Sequence, residues 1–461
     1  MKRLLLFAMA LTTSGLVFAG GIVTNTNQSA MYTCMQARDA TLGIDAVYFN
    51  PAGLTLLPNN GLFLSINNQT LGQTRTITSN YASLNEGSYT GEISAPFFPG
   101  IYAAYKMDKL AFSFGFNPIG GGGGGTYEKG LPSFEYDFSD LPYKVNLLTP
   151  TTAYSADIFF EGTSVYFGYQ ANVSYAITEK ISAALGGRYV MAKNTNKGYI
   201  RDILINPYHP VLNPNSEMIS ATTFFSNIGN TTAQAMTADR EVDVEETASG
   251  FTPIISVNIK PNEMLNFALK YEHQTKLEFE TKVNDGKDGG MFVDGEKYRY
   301  DIPAQIVVGA TVIPIEKLLV STGFHYYLDE SADWSGREEQ LDGNSLEFAL
   351  GAEYGIGEKL LVSAGYLYTN TGATEAYQTD QSFSLPSSTV GGGLAYKFSP
   401  MIELNLAGSY TAYQEGEKNF THNIYAPDNV TIIESTNVTE TYKKPIWIAA
   451  IGININFSAG K

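Results

Sequence analysis

A single cysteine, Cys34, stands in 461 residues, so no intrachain disulfide framework holds this chain together. Charged residues make up only 16%, and acids outnumber bases 46 to 29 for a net charge of -17, which excludes nucleic acid as a partner. The four histidines, His209, His273, His325 and His422, form no His-x-x-x-His or Cys/His cluster, so no metal site is expected. There is no Gly-x-Ser-x-Gly elbow and no Gly-Lys-Ser/Thr after a glycine run. No enzyme activity and no cofactor are expected. Beyond the N-terminal leader, the roughly 18 consecutive apolar residues of a membrane-spanning helix are also missing.

What is abundant points elsewhere. Aromatics reach 13%, with 30 Tyr and 26 Phe, alongside 45 Gly, while the mean hydropathy is only -0.10. A wall of strands in which every second residue faces lipid combines these features, because its other face stays polar. The N-terminus reads as an export signal: Lys2-Arg3, an apolar stretch from Leu4 to Ala10, and the small-residue site Val17-Phe18-Ala19. The expected organisation is a signal peptide over 1–19, an N-terminal plug or hatch over 20–60, and a barrel over 61–461. Loss of Lys2 and Arg3 with the signal makes the mature chain two charges more negative.

The alternation is explicit. Leu346, Phe348, Leu350, Ala352 and Tyr354 interleave with Glu347, Ala349, Gly351 and Glu353, a period of two. Leu265, Phe267, Leu269 and Tyr271 behave alike, as do Ile402, Leu404, Leu406, Gly408 and Tyr410, and the last run carries Trp447, Ala449, Ile451, Ile453, Ile455 and Phe457 on one face. Short connections (Lys106 to Asp108, Thr178-Glu179, Lys260 to Asn262, Ile315-Glu316, Gly355 to Glu358, Ser399-Pro400) alternate with long polar ones. The long ones cover about Asn80 to Gly91, Pro118 to Glu161, Asn206 to Arg240, Asn284 to Lys297, Asp329 to Gly343, Asn370 to Ser384 and Glu415 to Glu440. Counting between them gives an all-β, antiparallel transmembrane barrel of about 14 strands, with short turns facing the periplasm and long loops facing outside. Runs of about 10 residues suit a tilted membrane strand better than a globular sandwich, whose strands average about 5 or 6.

The residues between the leader and the first strand lack this alternation yet are rich in Val, Ile, Tyr and Phe, unlike a disordered tail. Ala37-Arg38-Asp39-Ala40 and then Asp45-Ala46-Val47-Tyr48-Phe49-Asn50-Pro51-Ala52-Gly53 resemble the hatch of the FadL family of outer-membrane transporters for long-chain fatty acids and aromatic hydrocarbons. Asn50, Pro51 and Ala52, followed by Gly53, match that family's hatch signature. The resemblance implies uptake of a long-chain fatty acid or another hydrophobic small molecule by loop capture, lumen binding and sideways exit beside a kinked third strand; a monomer in outer-membrane lipid is the expected state. A general diffusion porin is the competing expectation.

At the corresponding place, Leu110 to Asn117 runs into Pro118-Ile119 and Gly120 to Gly125. Proline cannot donate to a ladder, so a wall gap is expected at Asn117, Pro118, Gly120 and Gly121. Strand parity directs Arg188, Lys270, Lys276, Arg299 and His325 into the lumen as candidate partners for an anionic head group, with Glu272, Glu347 and Asp301 as competing carboxylates. The resemblance implies a basic ligand-binding residue near the outer end of strand five, close to Lys197 and Arg201, where this sequence departs from the family pattern. It also places Ile22, after Gly20-Gly21, within reach of ligand.

Overall fold

Each alternating run becomes a strand whose greasy face looks outward and whose polar face looks inward. A computed structural model describes residues 22–25, 28–426, 428 and 430–457; the expected signal peptide lies outside these. Fourteen strands among the described residues close into a ring. They are β1 (Gly61–Ser79), β2 (Ser88–Met107), β3 (Leu110–Tyr127), β4 (Tyr154–Ala176), β5 (Ile181–Ile205), β6 (Arg240–Asn262) and β7 (Leu265–Glu272). The second half comprises β8 (Gln305–Ile315), β9 (Leu318–Tyr327), β10 (Leu346–Ile356), β11 (Leu360–Asn370), β12 (Ser387–Lys397), β13 (Ile402–Tyr413) and β14 (Ile446–Asn456). Every neighbour is antiparallel, and β14 returns to β1 in the register Phe63↔Asn456 to Gln73↔Ile446, so the strands close on themselves as a ring.

Exposure follows the expected parity. Phe348, Leu350 and Tyr354 are exposed on the outer wall, whereas Glu347 and Ala349, on the alternate positions, are buried in the lumen. Strand lengths do not match the expected boundaries everywhere. β5 has 25 residues, roughly 80 Å of chain at about 3.3 Å per residue, so its upper half stands well clear of the hydrocarbon.

Three of the long connections are not the irregular polar loops expected. Pro118 to Tyr127 continues β3 rather than ending it, and helices Pro132–Ser139 and Leu141–Asn146 follow. Helices Ala221–Asn227 and Thr231–Met236 lie between β5 and β6. Glu415 to Glu440 is largely a hairpin of Gly416–Tyr425 and Ile432–Lys443, whose second strand pairs with the top of β1 at Thr76↔Lys443. Sheltering beneath these loops is an aromatic cluster that includes Tyr89, Tyr127, Phe134, Phe138, Phe383 and Tyr442. Polar sequence there hid a packed cap.

Inside the ring, the N-terminal segment folds as helix Ala30–Cys34, helix Ala46–Phe49 and a 3-10 turn Pro51–Leu56. Ser29 caps the first helix by accepting from the Tyr32 N–H at 3.0 Å. Nearly every described residue from Ile22 to Leu57 is buried against the wall. The barrel is corked.

Candidate functional site

The Asn-Pro-Ala element is fastened to three adjacent wall strands. Ser174 of β4 donates to the Pro51 carbonyl at 2.7 Å, Ser182 of β5 donates to the Ala52 carbonyl at 2.7 Å, and the Ala52 N–H donates to Ser256 of β6 at 3.0 Å. Asn50 Nδ2 donates to Asn258 of β6 at 2.7 Å and to the Thr41 carbonyl at 3.0 Å. The orphan backbone groups of a short 3-10 turn therefore find partners on wall side chains instead of water. A Cβ on Gly53 would lie 3.0 Å from the Thr41 carbonyl and 2.5 Å from Asn50 Nδ2, which accounts for the glycine after the motif.

Three charge networks tie the rest of the hatch to the wall. Arg38 grips Asp45 bidentately at 2.8 and 3.0 Å and reaches Glu353 of β10 at 3.0 Å. Arg188 of β5 grips Glu272 of β7 at 2.6 and 3.0 Å, with its guanidinium 4.8 Å from the Tyr48 ring centroid. Lys270 reaches Glu272 at 2.8 Å and donates to the Tyr48 carbonyl at 3.0 Å. His325 lies between Asp39 of the hatch (2.8 Å) and Glu347 of the wall (2.7 Å). Of the parity-derived cations, Arg188, Lys270 and His325 do sit in the lumen, each with a carboxylate partner.

The others sit elsewhere, and these placements correct the sequence reading. Lys276 is exposed: β7 ends at Glu272, and the irregular residues after it reset the alternation. Arg299 lies on a short strand, Lys297–Arg299, above the ring, where its neighbours Tyr298 and Tyr300 turn inward; Arg299 pairs with Asp301 and Asp333 instead of facing the lumen. Parity does not survive being counted across a loop. Lys197 and Arg201 point away from the lumen, pairing on the outer surface with Asp243 at 3.4 Å and Asp157 at 2.8 Å. Ile22 is fully buried in the central cluster with Val23, Ile119, Tyr166, Phe279 and Trp334.

The wall is interrupted between β2 and β3. Pairing runs from Met107↔Leu110 to Ile101↔Phe116 and resumes only at Ser94↔Gly124. Residues 95–100 and 117–123 face each other without a ladder. On the β2 side the cause is Ala95-Pro96-Phe97-Phe98-Pro99-Gly100, whose two prolines have no N–H to offer. On the β3 side Gly121 and Gly123 take φ of 79° and 76°, left-handed values that bend the strand and that glycine adopts without strain. Asn117, Pro118, Gly120 and Gly121 all border this break, while β3 keeps pairing with β4 on its other edge.

The hatch covers the break from within. Thr24 bridges to Gly120, the Asn25 N–H donates to the Ile119 carbonyl at 2.8 Å, and Asn25 Nδ2 donates to the Gly121 carbonyl at 3.2 Å. Gln28 is clamped by Asn117, which donates to its side chain, and by Tyr102, whose hydroxyl donates to its carbonyl at 2.6 Å. Gln28, Pro96 and Pro99 escaped the sequence reading. The paired prolines were the available signal, but they sat inside an otherwise ordinary strand pattern.

Above the lumen, the loops enclose a cavity of about 480 Å³ whose lining includes Tyr136, Phe138, Leu141, Met236, Met291 and His422. It mixes rings and sulfur with the charges of Asp137, Asp140, Lys144 and Arg240. In the loop after β9, burial pushes the Asp329 carboxyl up to about 6, although one oxygen accepts the Ser345 N–H at 2.8 Å.

No protein-family model matches the chain. It is 24% identical over 423 residues to outer membrane protein P1 of Haemophilus influenzae, covering 83% of this chain and 80% of that protein. Its structure is similar to a FadL homologue of Pseudomonas aeruginosa (TM-score 0.65, 12% identity, 95% of this chain and 100% of the other). It is also similar to the toluene transporter TbuX of Ralstonia pickettii (TM-score 0.55, 15% identity, 93% and 98%). The chain therefore has the FadL-type fold, a fourteen-stranded outer-membrane barrel stoppered by its own N-terminal segment.

Proposed function

We propose that this barrel carries hydrophobic small molecules, long-chain fatty acids foremost, from the cell exterior into the outer membrane through the β2–β3 break. The observation that carries this reading is the presence of three features in one barrel. A loop-lined cavity sits at the mouth, an aromatic lumen cluster holds Ile22, and among the described residues Thr24, Asn25 and Gln28 cover the break from within. A solute moving down the lumen meets Ile22 and Val23 before it meets the break. Displacing Thr24, Asn25 and Gln28 costs a few hydrogen bonds and opens a path into lipid, where the exposed Phe97 already projects.

An open diffusion porin passes polar solutes through a hydrated bore. Here the inner face is engaged by the hatch through charged side chains, Arg38 on Glu353, Lys270 on the Tyr48 carbonyl and His325 on Asp39, which favours hydrophobic uptake over that alternative. The apolar lumen cluster likewise suits an acyl chain or an aromatic ring. The named ligands of similar barrels, toluene among them, agree in chemistry with this reading.

The test is uptake of radiolabelled palmitate and of toluene by cells carrying the barrel. It is repeated after Pro96, Pro99, Pro118 and Gly120 to Gly123 are replaced by Thr and Val so that the ladder closes. Loss of uptake with a folded, heat-modifiable barrel is expected. Undiminished uptake through a closed wall overturns the sideways route, and a wild-type barrel that admits small sugars but neither probe overturns hydrophobic transport itself.

A further inference from the structure

A row of four polar side chains crosses the upper inner wall. Ser164 of β4 lies opposite Asn194 of β5, Asn194 opposite Glu246 of β6, and Glu246 opposite Thr281 of the strand Glu278–Val283, all in one register. All four are buried, and each keeps an atom with no hydrogen-bond partner among the described residues: Ser164 Oγ, Asn194 Oδ1, Glu246 Oε1 and Thr281 Oγ1. The other Glu246 oxygen receives a long contact of 3.5 Å from Asn194 Nδ2. Cations stand close in sequence but on the opposite face, where Lys193 pairs with Glu245 and Lys197 with Asp243. Glu246 is therefore a buried acid with no ion pair among the described residues.

Aromatic rings adjoin the row. Tyr166 stands two residues from Ser164 and Phe279 two residues from Thr281, so both share the inward face. Beside Tyr166, in the next inward register, lie Ala192 and Ala248, and over these small side chains the Tyr166 and Phe279 rings lean together to 5.9 Å between centroids. Tyr298 stacks on Phe279 at 5.4 Å, and its hydroxyl, beside the Glu246 charge, is also without a partner. One end of the row reaches the wall break, because Ser164 pairs with Gly123 of β3. The hatch closes that end: a Cβ on Gly120 would lie 2.8 Å from both the Val23 carbonyl and the Tyr166 ring, and Ile22 and Val23 share one apolar cluster with Tyr166 and Phe279.

We propose that this row and its rings bind the ammonium group of a small hydrophobic amine, such as one carried on an aromatic ring, in the space that Ile22 and Val23 leave when the hatch segment moves aside. The proposal rests on the uptake reading above and adds to it a cationic class of solute, held one step before the break. An ionised Glu246 and the Asn194 carbonyl oxygen can only accept hydrogen bonds, and an ammonium brings three donors together with the charge that a buried carboxylate lacks. Tyr166, Phe279 and Tyr298 supply ring faces, which attract a desolvated cation and seat an apolar body. A hydroxyl brings one donor and no charge. A bare hydrocarbon leaves all of these acceptors unsatisfied, each at its full desolvation cost.

The experiment measures binding of phenethylamine, phenethyl alcohol and ethylbenzene, which share one ring and differ in the terminal group, to the purified full-length barrel in lipid nanodiscs at neutral pH, with empty nanodiscs subtracted. Wild type is set against E246Q, the conservative E246D, and I22A. Wild type is expected to bind phenethylamine at least tenfold more tightly than either neutral probe. E246Q should lose at least tenfold for the amine while the neutral probes hold, E246D should recover part of the loss, and I22A, with less hatch to displace, should tighten the amine a few-fold. Heat-modifiable migration on gels establishes that each variant is folded; should E246Q misfold, N194A, expected to weaken the amine alone by a few-fold, decides. Equal binding of amine and alcohol by wild type, or amine binding unaffected in folded E246Q, overturns the site and leaves these atoms to water. An I22A barrel that binds the amine no better than wild type overturns its placement beside the hatch. Those outcomes leave hydrophobic uptake standing, whereas wild-type cells that take up neither toluene nor palmitate remove the uptake reading, and amine binding to the purified barrel is then read independently.

Discussion

His325 of the wall holds Asp39 of the hatch across 2.8 Å, and its other ring nitrogen lies 2.7 Å from Glu347. The imidazole is thereby the clasp between an N-terminal helix-and-turn segment and a strand 286 positions away in sequence. Replacing it with alanine leaves two carboxylates facing one buried space. H325A is expected to destabilise the seated hatch by about 3 to 5 kcal/mol, the usual cost of breaking a buried charged pair. The readout is ion conductance in planar bilayers, which should rise from a closed baseline; a variant as silent as wild type contradicts the clasp.

Close approach makes a second prediction. A Cβ on Gly309 of β8 would lie 2.6 Å from the Ala40 nitrogen, and one on Gly365 of β11 would lie 2.7 Å from the Gln36 nitrogen. Both clashes are with hatch backbone, which has no rotamer to yield. G309V and G365V should unseat the hatch while the ring, paired strand to strand all round apart from the β2–β3 break, still closes. G392V is the matched control, since its Cβ meets nothing closer than 3.5 Å. Protease sensitivity near Ala37 to Thr41 that appears in the first two variants and not in the third is the expected pattern.

Gln28 closes the wall break by serving Asn117 and Tyr102 together. Its truncation to alanine removes the side-chain contact and keeps the backbone one, a loss of about 1 kcal/mol. That corresponds to roughly a fivefold shift toward the displaced segment, so Q28A is expected to accelerate palmitate uptake by a few-fold where displacement limits the rate. A slower Q28A barrel means that Gln28 guides the ligand instead of restraining the segment.

The loop after β9 should respond to pH. Asp329 has its folded value raised from 3.8 to about 6 by burial, so between those values the folded loop binds a proton that the released loop does not. The loop is therefore most secure below about 4, weakens as pH rises to about 6, and changes little beyond. Hydrogen exchange at Ser345, whose N–H donates to Asp329, should quicken across that window in wild type. D329N is expected to flatten the profile; an unaltered slope in that variant assigns the effect to another group.

Much of this molecule was legible before its coordinates. Glu347 between Phe348 and Leu346 announced an inward carboxylate, and Asn50-Pro51-Ala52 announced a stopper, because period-two exposure and a local motif are short-range properties. Parity failed at Lys276 and Arg299, where irregular residues separate them from the strands that set the count. It could not show that Arg188 and Lys270 share Glu272, which depends on two strands being neighbours in the ring.

Sequence by itself determined the membrane wall: alternation obliges each strand to present one face to lipid, and an unpaired edge in hydrocarbon is too costly to persist, so the strands had to close. Only the tertiary structure decided which polar groups inside the ring satisfy one another. Arg75 and Lys444 look no different in sequence from Arg188 and Lys270. What separates them is that ring closure and loop packing brought a carboxylate to one pair and left the other with carbonyls and an aromatic ring, an outcome fixed by long-range geometry that no local pattern encodes.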